Sequence, residues 1–308
     1  MKTKFIGLLL VLLSSLGYAQ QDAQYTQYMY NTTVVNPAYA GTRETLNVFA
    51  LYRTQWVGLD GAPQTANFSV TSPIAKNLGL GVSVVSDKIG PSEENNLAVD
   101  FSYIINVSEN YKLSFGVKGS ANLLNVDFTK LNIYNPGDPR YQNNIDNKFS
   151  PNLGVGLYLY SDKAYLGFSA PYILESNHYD KSANNTATTF MATERIHYYA
   201  IAGYVFDLSP SLQFKPSVLT KLVQGAPLQV DLSGNFLINQ KFTLGLAYRW
   251  DAAFSALVGF QASDSWFIGY SYDMDSTKLN NYNSGSHEFF LRYELFTKKN
   301  RILSPRFF

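Results

Sequence analysis

The sequence predicts an all-β fold, a transmembrane antiparallel β-barrel of about fourteen strands in a bacterial outer membrane. Three observations predict it: an export signal at the N-terminus, alternation of apolar and polar residues along most of the chain, and connections that are short at one end of the strands and often long at the other. The composition agrees, because 46% of the residues are hydrophobic and 15% are aromatic, and outer-membrane barrels use aromatic residues heavily in their lipid-facing bands and girdles.

Residues 1–19 have the organisation of a secretory signal peptide. Lys2 and Lys4 precede an apolar run at 5–13, and small residues surround Ala19. The run is shorter than the roughly 20 residues that a membrane-spanning helix needs, so we expect cleavage after Ala19. The predicted divisions of the chain are a signal peptide (1–19), an N-terminal periplasmic or plug segment (20–43), an outer-membrane barrel (44–296) and a C-terminal periplasmic tail (297–308).

Strict alternation, which places every second side chain on one face of an extended strand, recurs along the rest of the chain. In residues 228–238, for example, Leu232 and Phe236 belong to an apolar face, whereas Asp231 and Asn235 belong to a polar one. Most of the runs are near the roughly 9–11 residues that a tilted strand needs to cross a bilayer. Strands are therefore predicted near residues 44–53, 64–72, 77–87, 95–107, 111–121, 151–161, 164–171, 196–207, 211–221, 227–238, 241–250, 253–263, 265–274 and 286–296.

The connections between these runs distinguish a membrane barrel from a soluble sandwich or propeller, which would also alternate. Links after the even-numbered strands are short, whereas several links after the odd-numbered ones are long, although those before Leu228 and Ala253 are short. Outer-membrane barrels place short turns in the periplasm and long loops outside, so both chain termini are expected in the periplasm. The long links are predicted at residues 54–63, 122–150, 171–195 and 275–285.

Such a sheet must close, because each unpaired backbone group costs several kcal/mol in hydrocarbon. Fourteen strands enclose a lumen wider than wall side chains alone would fill. It must hold water, inserted loops or a plug. The two long loops at 122–150 and 171–195 could fold inward or stand outside as a binding surface, and the sequence leaves both possibilities open.

Composition and motif searches give no support for an enzyme. The chain has no cysteine and a formal net charge of +1, which excludes a disulfide scaffold and thiol catalysis and gives no reason to expect nucleic acid as a partner. His178, His197 and His287 lack metal-ligand spacing. Ser286 and His287 are adjacent on a strand and should face opposite sides, which disfavours an esterase pair.

Two further patterns have structural explanations that we prefer. The Gly-x-Gly strings at 79–81 and 154–156 lie within strands and lead into no helix, so we expect them to relieve crowding or permit curvature. Asp251, Asp273 and Asp275 form an acidic group near the long-loop end. A hard cation such as Ca²⁺ could bind there, but the ligand spacing of an ordered calcium loop is absent, and a solvated rim is the preferred interpretation. No catalytic residue, cofactor or metal is predicted.

Several strings of the mature chain together resemble the PorP/SprF family of type IX secretion membrane proteins. They occur in the family's order and extend over nearly the whole mature chain. They are QYTQYMYN at 24–31, NPAYAG at 36–41, YRTQWVGLDGAPQT at 52–65, GLGVS at 79–83, DKIGP at 87–91 and GSHE at 285–288.

The resemblance implies a barrel that binds, supports the secretion of, or anchors a cargo protein with a C-terminal sorting domain at the cell surface. Implied partners are this cargo, other type IX components in the periplasm and outer membrane, and membrane lipid. A core component of the machine and a paralogue dedicated to one cargo are both compatible with the sequence. The family contributes no catalytic residue.

The N-terminal segment is expected either to pack inside the barrel as a partial plug or to dock a periplasmic partner, because its aromatic residues are poorly suited to water. Residues around Trp56 are expected in the first external loop. The residues hypothesised to bind a partner are Tyr25, Tyr28, Met29, Tyr30, Asn36, Pro37, Tyr39, Arg53, Trp56 and Asp60.

Two other functions fit the same sequence pattern. A passive or substrate-specific porin would have the same polar inward faces and water-filled lumen. An outer-membrane lipid hydrolase, using Ser286 and His287, is a more remote alternative. Single-channel conductance separates the porin from a closed, protein-binding barrel, and substitution of the Ser–His pair tests the hydrolase.

Overall fold

A computed structural model of the protein describes residues 24–131, 144–175 and 195–295. The predicted signal peptide and C-terminal tail lie outside these residues. The strands are β1 (Leu46–Thr54), β2 (Gln64–Ala75), β3 (Leu78–Ile89), β4 (Ser92–Asn106), β5 (Lys112–Val126), β6 (Ile145–Tyr160), β7 (Ala164–Ala170), β8 (His197–Tyr204), β9 (Phe206–Ser209), β10 (Leu212–Val223), β11 (Gln229–Ile238), β12 (Phe242–Arg249), β13 (Ala253–Gln261), β14 (Trp266–Asp275) and β15 (Ser286–Leu295).

These strands form one closed antiparallel barrel. Strand β1 pairs with β15 from Leu46↔Leu295 to Thr54↔His287, and β10 pairs with β11, so the sheet has no free edge. Strands β8 and β9 both pair with β10 and are separated only by Val205. They are two parts of one wall strand. The interruption is at Val205, whose backbone N–H donates to the Lys163 carbonyl at 2.7 Å. The wall therefore has fourteen strands, and the predicted fold class is confirmed.

Alternation along each strand separates a lipid-facing surface from a polar lumen. On β2, Phe68 is half exposed on the outside, whereas its neighbours Asn67 and Ser69 are buried inside. On β11, Leu232 and Asp231 divide in the same way. The outer faces carry aromatic and aliphatic side chains, which lose nothing in contact with hydrocarbon, and polar inward groups such as Asn67 and Ser69 bond to groups within the lumen.

The connections define two rims. The short-turn rim carries the links after β2, β4, β6, β9, β11 and β13, whereas the long-loop rim carries those after β1, β5, β7 and β14. The link between β3 and β4 at the long-loop rim is also short, because it consists of residues 90–91. It is a third short link at this rim, in addition to the two that the sequence predicts.

The predicted loop at 122–150 is shorter than expected. Strand β5 continues to Val126 and β6 begins at Ile145, so these strands have 15 and 16 residues, more than a bilayer crossing requires. The extra pairs, such as Leu123↔Phe149, form a hairpin that extends the wall at the long-loop end. The sequence pattern fails there because the flanking residues are rich in Asn, Asp and Lys and do not maintain a lipid-facing apolar face.

Helical structure within the described residues is confined to short turns. Three lie in the N-terminal segment, at Tyr28–Tyr30, Thr32–Val35 and Pro37–Tyr39, and two lie at the long-loop rim, at Phe128–Lys130 and Lys278–Asn281. None of the helices in the described part of the chain is long and apolar enough to cross a membrane.

Candidate functional site

The described part of the N-terminal segment, residues 24–43, lies within the lumen. Its local fold follows from its sequence, because Asn36 has the extended backbone required before Pro37, and its side chain accepts a hydrogen bond from the Ala38 N–H. The chain consequently turns repeatedly and forms neither a long helix nor a strand. Tyr28, Met29 and Tyr30 are each less than 5% exposed.

The segment begins at the long-loop end of the lumen. There the Gln24 side chain donates to Gln229 Oε1 at 2.7 Å. The backbone N–H groups of Thr26 and Gln27 donate to the two carboxylate oxygens of Glu288, at 3.0 and 2.9 Å. Glu288 is the third residue of β15, and its side chain is wholly buried. The start of the segment is thus held through its main chain by one wall carboxylate.

A buried ionic cluster supports this contact. Arg53 Nη1 lies 3.1 Å from Glu288 Oε2 and 2.6 Å from Asp273 Oδ2, and it also donates to the Thr26 hydroxyl at 3.1 Å. The Thr26 hydroxyl in turn donates to Asp273 at 2.7 Å. Two carboxylates and one guanidinium would be costly to bury alone, and the hydrogen bonds from the segment satisfy part of their remaining capacity.

The middle of the segment contacts the opposite wall. Lys118 on β5 donates to the carbonyl oxygens of Thr33 and Val34, at 3.3 and 3.1 Å, and lies 3.5 Å from Asp100 on β4. Ser169 on β7 donates to the Val35 carbonyl at 2.6 Å. These bonds connect the segment to strands far from β15, so it extends across the lumen as well as along it.

Inward-facing glycines make room for the segment near the short-turn rim. A Cβ added to Gly116 would collide with the backbone of Pro37 and Ala38, and one added to Gly79 would collide with the Ala40 carbonyl. That carbonyl accepts a hydrogen bond from Ser102 at 2.6 Å. Gly79, the first glycine of the GLGVS string, therefore permits close approach of the main chain at Ala40.

Aromatic packing fills the space between these polar contacts. The Tyr30 ring stacks on Phe290 with centroids 4.8 Å apart and lies 5.3 Å from the Phe267 ring. The Tyr39 ring meets Tyr158 edge-on at 5.5 Å. Buried aromatic pairs of this kind contribute about 0.5–1.5 kcal/mol each beyond their buried area.

The first residues of the loop after β7 add contacts at the long-loop end of the lumen. Residues 171–175 fold inward across β6, where the Ile173 N–H bonds the Leu153 carbonyl at 2.8 Å and Leu174 exchanges hydrogen bonds with the Asn152 side chain. The Tyr172 ring lies 5.8 Å from Lys118 Nζ. Lys118 thus contacts both the N-terminal segment and this loop. The remaining residues of the predicted loop, 176–194, lie outside the described residues.

The structure places the hypothesised partner-binding residues in two environments. Eight are buried in the lumen: Tyr25, Tyr28, Met29, Tyr30, Asn36, Pro37, Tyr39 and Arg53. Trp56 and Asp60 lie in the loop after β1. Asp60 is exposed, and the backbone N–H of Trp56 donates to the Ser286 hydroxyl at 3.2 Å. None of these contacts tests partner binding, which stays a prediction.

The sequence pattern does not identify Glu288 and Lys118 as hydrogen-bond partners of the segment. It also predicts that Asp273 belongs to a solvated acidic group near the long-loop rim. Asp273 is buried and paired with Arg53, so it does not belong to a solvated acidic group. Asp275 accepts a hydrogen bond from the Asn283 side chain, and Asp251 accepts one from the Trp250 indole. A signal was available, because ionisable side chains at inward positions of membrane-spanning elements are costly and commonly functional.

No catalytic arrangement is evident among the described residues. His287 Nδ1 lies 2.8 Å from the Tyr270 hydroxyl, whereas the Ser286 hydroxyl accepts from Trp56, so the two neighbours have separate environments. Within residues 24–131, 144–175 and 195–295, no three His, Asp or Glu side chains come together to hold a metal ion. His178 lies outside this part of the chain.

Comparison with known structures agrees with the barrel fold. The chain is similar to the CymD monoaromatic hydrocarbon channel, with 13% identity, a TM-score of 0.50, and coverage of 91% of this chain and 96% of that one. Omp33 of Acinetobacter baumannii is 9% identical, with a TM-score of 0.48 and coverage of 82% and 98%. At 13% identity the likeness to CymD concerns the fold alone.

The family comparison is more specific. No curated protein matches the chain. Residues 17–293 match the model of the type IX secretion system membrane proteins PorP/SprF, which describes membrane proteins of a secretion system and not enzymes. The match includes the segment in the lumen, the barrel wall up to residue 293 and the ionic cluster between them. The chain therefore belongs to the PorP/SprF family of type IX secretion system membrane proteins.

Proposed function

We propose that this barrel binds a secreted cargo protein with a C-terminal sorting domain and supports its secretion or anchors it at the cell surface. Its other partners would be further components of the type IX system. The observation that carries this proposal is the occupied lumen. A segment bonded to Glu288, Lys118 and Ser102, on three separate strands, leaves little room for passive diffusion and favours a protein-binding role over an open porin.

We propose that the short-turn rim faces the periplasm and the long-loop rim faces outward, as in other outer-membrane barrels. In this orientation the last described residue, Leu295, faces the periplasm. Gln24, in contrast, lies at the external end of the lumen beside Gln229. Between residues 24 and 43 the chain would then descend from the external end of the lumen to the periplasmic rim, where it leads into β1.

The loop after β1 is the proposed cargo contact among the described loops. It carries the exposed Asp60 and the half-buried Trp56, and it is fixed to the loop before β15 by two backbone hydrogen bonds between Val57 and residues 284–285, at 2.8 and 2.9 Å. A rigid external loop suits recognition because little conformational entropy is lost on binding. The eight buried residues would act indirectly, by holding the segment in place.

The test is affinity purification of the tagged protein from its native outer membrane, followed by identification of copurifying proteins. We expect a secreted protein with a C-terminal sorting domain. Substituting Asp60→Ala together with Trp56→Ala should reduce its recovery, whereas Asp251→Asn at the same rim, a matched surface change, should not. Equal recovery from both variants would remove this loop from the proposal.

Conductance measurement tests the competing function. The purified protein in a planar bilayer should show no large, steady open pore, because the N-terminal segment and residues 171–175 occupy the lumen. A stable conductance typical of a general porin, in the absence of any copurifying cargo, would contradict the proposed function.

A further inference from the structure

The barrel wall is complete without the N-terminal segment. Strands β1 and β15 pair from Leu46↔Leu295 to Thr54↔His287, and residues 24–43 contribute no strand to the sheet. The segment is attached to the wall covalently only where it leads into β1 at Leu46. All its other contacts are those that a bound ligand would make.

The wall recognises the main chain of this ligand. Glu288 accepts two backbone N–H groups, and Lys118 donates to two backbone carbonyls. Ser169 and Ser102 donate to two more, those of Val35 and Ala40. Bonds to a charged partner are stronger than neutral ones, so Glu288 and Lys118 should account for much of the affinity.

Amide side chains add sequence recognition. Asn31 donates to Asn67 at 2.6 Å and accepts from Ser69 at 3.2 Å. Asn36 donates to the Leu157 carbonyl at 3.0 Å, next to the space left by Gly156. Residues 24–40 contain no charged residue. The charges of Glu288 and Lys118 are therefore met by neighbouring wall charges and by peptide groups, and a charged segment would disturb them.

We propose that the lumen wall is a binding site for an uncharged, amide- and tyrosine-rich polypeptide segment. The protein's own residues 24–40 occupy it in cis, and a separate peptide of the same sequence occupies it in trans. This is the recognition logic of peptide-binding domains, in which main-chain hydrogen bonds give affinity and side-chain contacts give specificity. The inference is independent of the proposed cargo function.

The experiment must first remove the advantage of the tether, because a covalent linker gives the segment an effective concentration on the order of millimolar. A protease site inserted after Glu44, in the turn before β1, allows the folded full-length protein to be cut at one position. The uncut insertion protein must keep the heat-resistant electrophoretic mobility of a folded barrel. A fluorescent peptide of residues 24–40 is then added in excess.

We expect the labelled peptide to replace the severed segment and to form a one-to-one complex, detected by fluorescence anisotropy and native mass spectrometry. A scrambled peptide of the same composition should not bind. A peptide N-methylated at Thr26 and Gln27 should bind about tenfold or more weakly, because it loses both hydrogen bonds to the Glu288 carboxylate.

Two results would overturn the proposal. If the severed segment never exchanges and no peptide binds, the segment is an inseparable part of the fold. If the N-methylated or scrambled peptide binds as tightly as the native one, the wall does not recognise the main chain or the sequence. The peptide changes leave the protein itself unaltered, so the second result cannot be attributed to misfolding. For the first result, the electrophoretic mobility of the insertion protein provides that control. Failure here would leave the cargo experiment unaffected.

Discussion

At the scale of single residues, the decisive position is Arg53, which sequence analysis selected without its partners. It lies on β1 close to the long-loop rim, and its side chain is 2% exposed. Its two carboxylate partners, Asp273 and Glu288, come from β14 and β15, more than 200 residues later in the chain. One guanidinium thereby links two wall strands and the N-terminal segment.

Removing this guanidinium should be strongly destabilising. Arg53→Met leaves two buried carboxylates uncompensated, and breaking a buried ion pair typically costs about 3–5 kcal/mol. We expect the free energy of unfolding, measured by urea titration in lipid, to fall by about that amount. Arg195→Met is the matched control, because Arg195 and Glu175 form an exposed pair, worth about 0–1 kcal/mol. Equal losses in both variants would contradict a special role for the cluster.

Gly116 is a second decisive residue, because its missing side chain provides the space occupied by Pro37 and Ala38. Gly116→Val should therefore displace the segment and open the lumen, and single-channel conductance should rise. Gly119 lies on the same strand with nothing within 4 Å of an added Cβ. Gly119→Val should leave the barrel closed. A closed Gly116→Val barrel would show that the segment does not depend on this contact.

At the scale of elements, the hairpin of β5 and β6 differs from the rest of the wall. Its outer part is stabilised by a small apolar cluster of Leu124, Val126, Phe128 and Ile145, separate from the lumen core. The Phe128 turn is further fixed because its N–H bonds Asn144 at 3.0 Å. This cluster explains how strands can continue beyond the bilayer without lipid to cover them.

Phe128→Ala should loosen this hairpin without unfolding the barrel. Truncating a buried phenylalanine typically costs about 3–5 kcal/mol, and here the loss falls on a local unit. Amide hydrogen exchange of residues 124–131 should accelerate, whereas exchange in β11 to β14 should not change. Leu131→Ala is the control, because Leu131 is exposed. Destabilisation of the whole barrel would show that the cluster is not a separate unit.

At the scale of the whole molecule, a fourteen-strand wall surrounds a segment that enters at one rim and joins the wall at the other. The loop after β7 meets this segment at Lys118. This loop comes from the long-loop rim, where the segment also begins at Gln24, so the long-loop end of the lumen holds both. Orientation in the membrane then decides which rim a secreted partner would encounter first.

The proposed orientation can be measured directly because the chain has no cysteine. Asp60→Cys at the long-loop rim should react with a membrane-impermeant maleimide in intact cells, whereas Asp264→Cys at the short-turn rim should react only after the membrane is disrupted. Gln24→Cys should behave like Asp60→Cys, although more slowly, because Gln24 is partly buried. Reaction of Asp264→Cys alone in intact cells would reverse the orientation.

The sequence by itself determined the barrel and its strand number. Alternation such as that in 228–238 is local, because lipid on one side and polar groups on the other impose a period of two on each strand. The QYTQYMYN and NPAYAG strings also marked the N-terminal segment as more than a tail. The alternation did not predict the extensions of β5 and β6, where no lipid contacts the strands. It also did not predict the single-residue break between β8 and β9.

Only the tertiary structure decided what fills the lumen. Glu288 and Thr26 are 262 positions apart, and no local pattern relates a carboxylate on the last strand to two N–H groups near the start of the chain. The same holds for Gly116 and Ala38, since a glycine in a strand does not reveal what lies against it. Such contacts depend on closure of the sheet, which brings all the inward faces around one enclosed space.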